Sequence, residues 1–253
     1  LSALGLVQTA ETDHDGAIQL NESARKIFQI VGDRHSEAIA NNALGQAYEL
    51  LKEFQLALKY YSEALRLFES VGAVNGTAPS NCNVARAHFL NNHLDQALRF
   101  YQRCLDLSRS AGMTRIEVSA LSEMAGVYAK QQRFRLALSQ QEKAKKFYES
   151  IGDRRGLARA LNGYGDLLLQ AGKKPQALDA YKQAFSLSEQ TGEQETQLIA
   201  LYKLAQTTLA NGDPETALKF IENSLKLIEE LRANVASPEF RTSYFSGERQ
   251  HYD

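Results

Sequence analysis

Apolar and polar positions alternate along this chain with two superposed periods, a short one of helical spacing and a long one of 40 residues. Glycines at 32, 72, 112, 152 and 192 mark the long period, each closing an amphipathic run such as Ile30-Val31-Gly32, Ser70-Val71-Gly72 or Ser150-Ile151-Gly152. Pairs Ala57-Leu58, Ala97-Leu98, Ala137-Leu138, Ala177-Leu178 and Ala217-Leu218 keep the same beat, and Ala17-Ile18 extends it backward. Seven residues after each alanine stands Ala24, Ala64, Cys104, Ala144, Ala184 or Ser224, and three further on Ile27, Leu67, Leu107, Phe147, Leu187 or Leu227. Those spacings put the three columns on one stripe of an α-helix, and alanine kept at one position lets a neighbouring helix approach closely.

The other half of each period carries a second helical series: Ala38, Asn41, Leu44, Gly45 and Tyr48 in one copy, Ala158, Leu161, Tyr164, Gly165 and Leu168 in another. Short polar turns separate the helices. In Asn211-Gly212-Asp213-Pro214 the proline suits a first helical position. Gly152 suits a left-handed helix end, Asp153 a cap for the next helix, and Thr114 with Glu117 a capping box. The spacing predicts helix–turn–helix units of all-α structure without strands, with helices of roughly 14–18 residues, about 21–27 Å long at about 1.5 Å per residue. A fixed period of this length is the sequence sign of a solenoid.

Five full pairs are expected near 34–71, 74–111, 114–151, 154–191 and 194–231, preceded by a truncated unit, since Ala3-Leu4-Gly5 aligns with Ala43-Leu44-Gly45. The chain is thus expected to begin inside a repeat. The second full unit is irregular: Ala73-Val74-Asn75-Gly76 replaces the usual start, and Pro79 predicts a loop or distorted turn with the helix beginning near 78–80. The period breaks after 231. The array is expected over 1–233 and a capping or linker helix over 234–253, started by Ser237-Pro238-Glu239 and apolar at Phe240, Tyr244 and Phe245.

Composition narrows the function classes. Net charge is −1 and the pI about 6.6, which gives no pull toward nucleic acid or anionic membranes. No apolar run is long enough to span a bilayer and no signal peptide opens the chain, so the cytoplasm is the expected compartment. There the cysteines are expected to stay thiols: Cys104 as a small buried hydrophobe, Cys82 facing a groove or its rim. His88 takes a packing position held elsewhere by Tyr48 and Tyr128, and His93, five residues on, is wrongly spaced for a metal pair on one helix face. With no phosphate loop, dinucleotide fingerprint or zinc-protease motif, neither catalysis nor a cofactor or metal is expected.

Leu44, Gly45 and Tyr48, the variant Met124, Ala125 and Tyr128, and Ala57, Leu58, Tyr61 and Ala64 resemble the tetratricopeptide repeat (TPR) family. Ala97, Tyr101 and Cys104, and Ala177, Tyr181 and Ala184, fit the same pattern. The unit is similar to the long-repeat branch of kinesin light chains, LGN-type adaptors and bacterial peptide sensors. The resemblance implies a right-handed α-solenoid whose first helices line a concave, ligand-binding face. Carried over, that face holds Asn42, Gln46 and Glu49; then Asn83, Arg86 and Phe89; then Ser122, Glu123 and Lys130; then Arg159, Asn162 and Asp166; and last Tyr202, Lys203 and Gln206. Its alternating charge implies a protein or extended peptide of mixed charge as partner. Residues 231–245, with Leu231-Arg232, Val235-Ala236-Ser237-Pro238-Glu239 and Arg241-Thr242-Ser243-Tyr244-Phe245, resemble the junction between a TPR array and a CHAT caspase-like domain. A recognition arm of a larger bacterial signalling or protease protein, a self-contained peptide sensor, and a module that self-associates through its open ends all remain open.

Overall fold

The computed structural model describes residues 14–234. The expected helix end within 1–10 and the expected helix at 238–246 lie outside them. Among the described residues there is no strand. Eleven helices succeed one another there: α1 His14–Val31, α2 Arg34–Leu50, α3 Phe54–Ser70, α4 Val74–Leu90, α5 Leu94–Ser110, α6 Thr114–Lys130, α7 Phe134–Ser150, α8 Arg154–Gln170, α9 Lys174–Thr191, α10 Gln194–Leu209 and α11 Pro214–Asn234. Helices α2, α4, α6, α8 and α10 open successive repeats, and α2 with α3, α4 with α5, α8 with α9 and α10 with α11 pack as hairpins. None of the described helices is long and apolar enough to cross a membrane. The fold divides into two compact units, residues 1–144 and 145–253, with the boundary inside α7.

The alanine columns form the spine of each unit. Ala17, Ala57, Ala97, Ala137 and Ala177 have no exposed surface, and neither do Ala64, Cys104, Ala144 and Ala184. Small side chains here let the two helices of a hairpin lie close, and larger ones fill the space between one hairpin and the next: Tyr61 and Leu65 of α3 pack against Val84 and Ala87 of α4 in unit 1. In unit 2, Leu161, Ala184 and Ala200 join α8, α9 and α10. Gly45 and Gly165 are set by the same closeness. A Cβ at Gly45 would lie 2.5 Å from the Tyr61 ring, and one at Gly165 would lie 2.4 Å from that of Tyr181.

The turns match the sequence closely, with three differences. Gly152 takes the left-handed conformation at φ 68°, and Asp153 accepts a hydrogen bond from the Gly156 amide at 2.8 Å. Pro214 is the first residue of α11, and Asp213 caps it by accepting from the Thr216 amide. Thr114 does not form the expected capping box: it is already helical, its hydroxyl donates to the Gly112 carbonyl, and Glu117 instead pairs with Arg109 of α5. Nor does Pro79 delay its helix, since α4 runs unbroken from Val74. The absence of a side chain at Gly76 explains this start. A Cβ there would lie 2.3 Å from the Phe68 ring, so glycine lets the first turn of α4 dock flat on α3. Five residues inside the helix, Pro79 then forgoes a single bond in its early turns. Between first and second helices, Lys52, Asn92 and Gln132 occupy the left-handed region without being glycine, where Gly172 and Gly212 do the same work later. The third difference concerns the cysteines, and it belongs to the site.

Candidate functional site

In unit 1 the first-helix residues named from the sequence converge on one polar network. Asn42 of α2 donates to the Ser80 hydroxyl of α4 at 3.2 Å, and Asn83 reaches back to the Asn42 side-chain oxygen at a long 3.5 Å. Arg86 of α4 pairs with Glu49 of α2 at 3.1 Å and also donates to Asn83. From beneath, the buried Tyr61 of α3 donates its hydroxyl to Glu49 at 2.9 Å. Tyr101 of α5 does the same for Glu123 of α6 at 3.2 Å. A second-helix tyrosine thus props a first-helix carboxylate. Burial, reinforced by the charge of Glu49 or Glu123, raises the pKa of both phenols. Burial opposes the charge on Arg86, yet Glu49 and then Tyr61 outweigh it, so its pKa is raised.

Beside this network lies a cleft of about 220 Å³. Asn83, Arg86 and Glu123 form its polar side, with Tyr101 below. Pro79, Cys82 and Ile116 give it an apolar wall, and Arg115 and Ser119 of α6 close it. Lys130 sits over the Phe89 ring at 4.9 Å, Ser122 is half-buried, and Gln46 points to solvent. The arrangement suits a short stretch of extended chain: an apolar side chain against Pro79 and Ile116, hydrogen-bonding amides beside it, and both signs of charge within reach.

Unit 2 places its share of the expected residues less uniformly. Lys203 of α10 pairs with Asp166 of α8 at 2.9 Å, and Tyr181 of α9 donates to the same carboxylate at 2.7 Å. Arg159, with Arg155, holds Glu193. Tyr202 and Gln206 are exposed. Asn162 is different: only 6% exposed, it donates to the Thr196 backbone carbonyl at 3.1 Å and ties α8 to α10. An open depression of about 380 Å³ elsewhere in this unit is bordered by Lys145, Tyr164 and Gln183, among others, and includes none of the expected residues.

Sequence reasoning passed over Arg115, Ser119 and Pro79 as parts of the cleft, although the period pointed to two of them directly: Pro79 and Ser119 stand 80 and 40 residues before Arg159, in a column already assigned to the binding face. Cys82, expected at a groove or its rim, borders the cleft. The expectation of free thiols is corrected outright. Cys82 of α4 and Cys104 of α5 are joined in a disulfide, with Cα atoms 5.4 Å apart. The alanine column brings the two helices close enough for this, because Cys104 occupies one of its places. His88 stacks on Phe100 as a packing residue, and burial, with the neighbouring His93, lowers its pKa. The two imidazoles meet through their Nδ1 atoms at 3.5 Å, and among the described residues no group of three metal-ligating side chains gathers there or elsewhere.

Comparison with known proteins agrees with this architecture. Among curated proteins, nothing matches the chain. Among solved structures, BtubC (BKLC) from P. vanneervenii is similar at a TM-score of 0.75 and 14% identity, covering 90% of this chain and 95% of that one. The apo form of RapI gives 0.73 at 15% identity, over 92% and 83% of the two chains. NprR in complex with its cognate peptide NprX gives 0.62 at 19%, over 90% and 67%. At such identities the likeness speaks for the fold. The family is fixed by sequence: the model of the tetratricopeptide repeat matches residues 1–70, 36–110 and 117–190, most of the chain, and the chain belongs to that family.

Proposed function

We propose that this protein is a non-enzymatic binding module that holds an extended protein segment of mixed charge on its first-helix face, with the unit 1 cleft as the principal contact. The observation that carries this reading is the convergence of Asn83, Arg86 and Glu123 on one cleft with an apolar wall. Asn83 offers both a donor and an acceptor to a peptide backbone, while Arg86 and Glu123 present opposite charges. The solved complex of NprR with a peptide supports the reading from outside. The resemblance of residues 231–245 to a CHAT junction supports a place as the recognition arm of a larger bacterial protein.

The test is a binding comparison on one set of partners captured by the full chain. Substituting Asn83, Glu123 and Ser119 together by alanine is expected to weaken capture at least tenfold, a loss of about 1.4 kcal/mol. Substituting the exposed Lys59 and Lys182 is expected to leave capture unchanged. If the second set abolished binding and the first did not, the face assigned to the partner would be wrong.

A further inference from the structure

The disulfide is not evenly shielded. Cys104 has no exposed surface, enclosed in the alanine spine with the Ser108 hydroxyl 3.9 Å from its sulfur. Cys82 is half-buried and borders the unit 1 cleft. The cross-link therefore has one half that a small molecule in the cleft can meet and one half that nothing from solvent can reach. The charges around the open half are also unequal. Arg86 is engaged by Glu49, and Glu123 by Tyr101, whereas Arg115 is exposed and has no partner among the described residues. A net positive contribution from Arg115 remains for whatever enters.

We propose that Cys82 is a covalent modification site for small carboxylate-bearing thiols, which enter the cleft and exchange with the Cys82–Cys104 disulfide. The attacking thiolate forms a new S–S bond to Cys82 as the bond to Cys104 breaks. The electron pair leaves on the Cys104 sulfur, which takes up one proton to become a thiol. One disulfide and one thiol stand on each side of the reaction, so no further oxidant or reductant takes part. The Cys104 thiol so formed is placed to donate to the Ser108 hydroxyl oxygen, whose own proton goes to the Cys104 carbonyl. The cleft, with room for about seven waters at about 30 Å³ each, accommodates a reagent of a few heavy atoms, and its carboxylate faces Arg115. Opening the bond also releases the covalent tie between α4 and α5 at the place where Asn83 and Arg86 are presented. The chemistry stands apart from the peptide-binding reading, because its readout is a covalent adduct and requires no partner.

The experiment uses the full chain with its disulfide intact. It is exposed to 3-mercaptopropionate, 2-mercaptoethanol or cysteamine at equal thiolate concentration, quenched with acid, and alkylated under denaturing conditions. Peptide mapping by mass then assigns the adduct and the released thiol. The expected result is an adduct on Cys82 with alkyl label on Cys104. Normalised to the same reagents' rates with a small uncharged disulfide, the carboxylate reagent should react about fourfold faster than the neutral one, the factor for a unit-charge contact near 5 Å screened as in water, and faster again than the cationic one. R115E should remove that preference without affecting the fold, since Arg115 is exposed and unpartnered. Adduct mapping to Cys104, equal normalised rates for all three reagents, or a preference untouched by R115E would overturn the proposal. So would finding two free thiols in protein purified without reductant.

Discussion

Replacing Tyr61 by phenylalanine removes a single hydroxyl from under the unit 1 network. The ring stays against Gly45, so packing is conserved, and the change isolates one hydrogen bond to a carboxylate, 2.9 Å long. A bond to a charged partner contributes about 1.5–3 kcal/mol. Glu49 retains 21% of its side-chain exposure and keeps Arg86, so water and the guanidinium offset part of the loss. The expected destabilisation is about 1–2 kcal/mol, or about 3–6 °C in Tm for a chain of this size. The pH dependence gives an independent check. The folded-state pKa of Tyr61 lies above its unfolded value of about 10. Its contribution is therefore complete below about pH 10 and disappears as the pH rises through the higher folded value. Alkaline unfolding followed by circular dichroism should accordingly be shallower in Y61F than in the unsubstituted chain. Y202F, at a ring 54% exposed, serves as the control and should change neither Tm nor profile. A double-mutant cycle with E49Q should give a coupling of about 0.5 kcal/mol or more. Strict additivity, or a Y61F melt identical to that of Y202F, would refute the idea that the buried tyrosines support the face.

Gln132 takes φ 59° at a turn where later repeats use glycine. Q132G should raise stability by roughly 0.5 kcal/mol, as relief of about 1 kcal/mol of left-handed strain exceeds the added chain entropy; a lower Tm would contradict this. Reducing the Cys82–Cys104 bond, which closes a sequence separation of 22, should cost about 3 kcal/mol by chain entropy and lower the melting temperature, while a C82A/C104A chain should not respond to reductant. On α11, Leu218, Ile221 and Leu225 are exposed at helical spacings of three and four. Residues 235–253 are expected to cover them, so deleting that segment should lower Tm and yield concentration-dependent association in sedimentation. A monomeric product with an unchanged melt would count against the cap.

The fold was legible because the period makes every column its own control. Ala57 alone says little, but alanine at 17, 57, 97, 137, 177 and 217 requires a close helix contact six times, and all six are found buried. Single departures from the period were harder to read. Pro79 looked like a breaker because the compensating absence at Gly76 acts through Phe68 on another helix, a contact no local rule registers. The disulfide was discounted on the ground of compartment, although Cys104 stands in the tightest column of the molecule and Cys82 in the column facing it. The depth of a site residue was likewise not readable from its column. Asn162 and Tyr202 are equivalent in the repeat, yet one is 6% and the other 54% exposed. The difference lies in the next first-helix along the chain. Asn162 on α8 is covered by α10 through Thr196, whereas α10 is the last first-helix among the described residues and nothing equivalent there covers Tyr202.

The same neighbour dependence decides which charges on the face remain for a ligand. Arg86 serves Glu49 and Asn83, Lys203 serves Asp166, and Arg159 serves Glu193. A ligand that took Arg86 away would leave Glu49 half-buried beside a phenol, and stripping one partner from a sheltered pair costs more than the pair itself contributes. These ion pairs link successive first helices and leave less free charge to bind with. On the proposed reading a ligand meets Asn83, Arg86 and Glu123 without displacing their partners, and Arg115, exposed and unpaired among the described residues, adds charge that is not already engaged. Alternating charge along the columns is thus first a feature of the scaffold, and the proposed partner contacts are to be sought where that charge is not already paired.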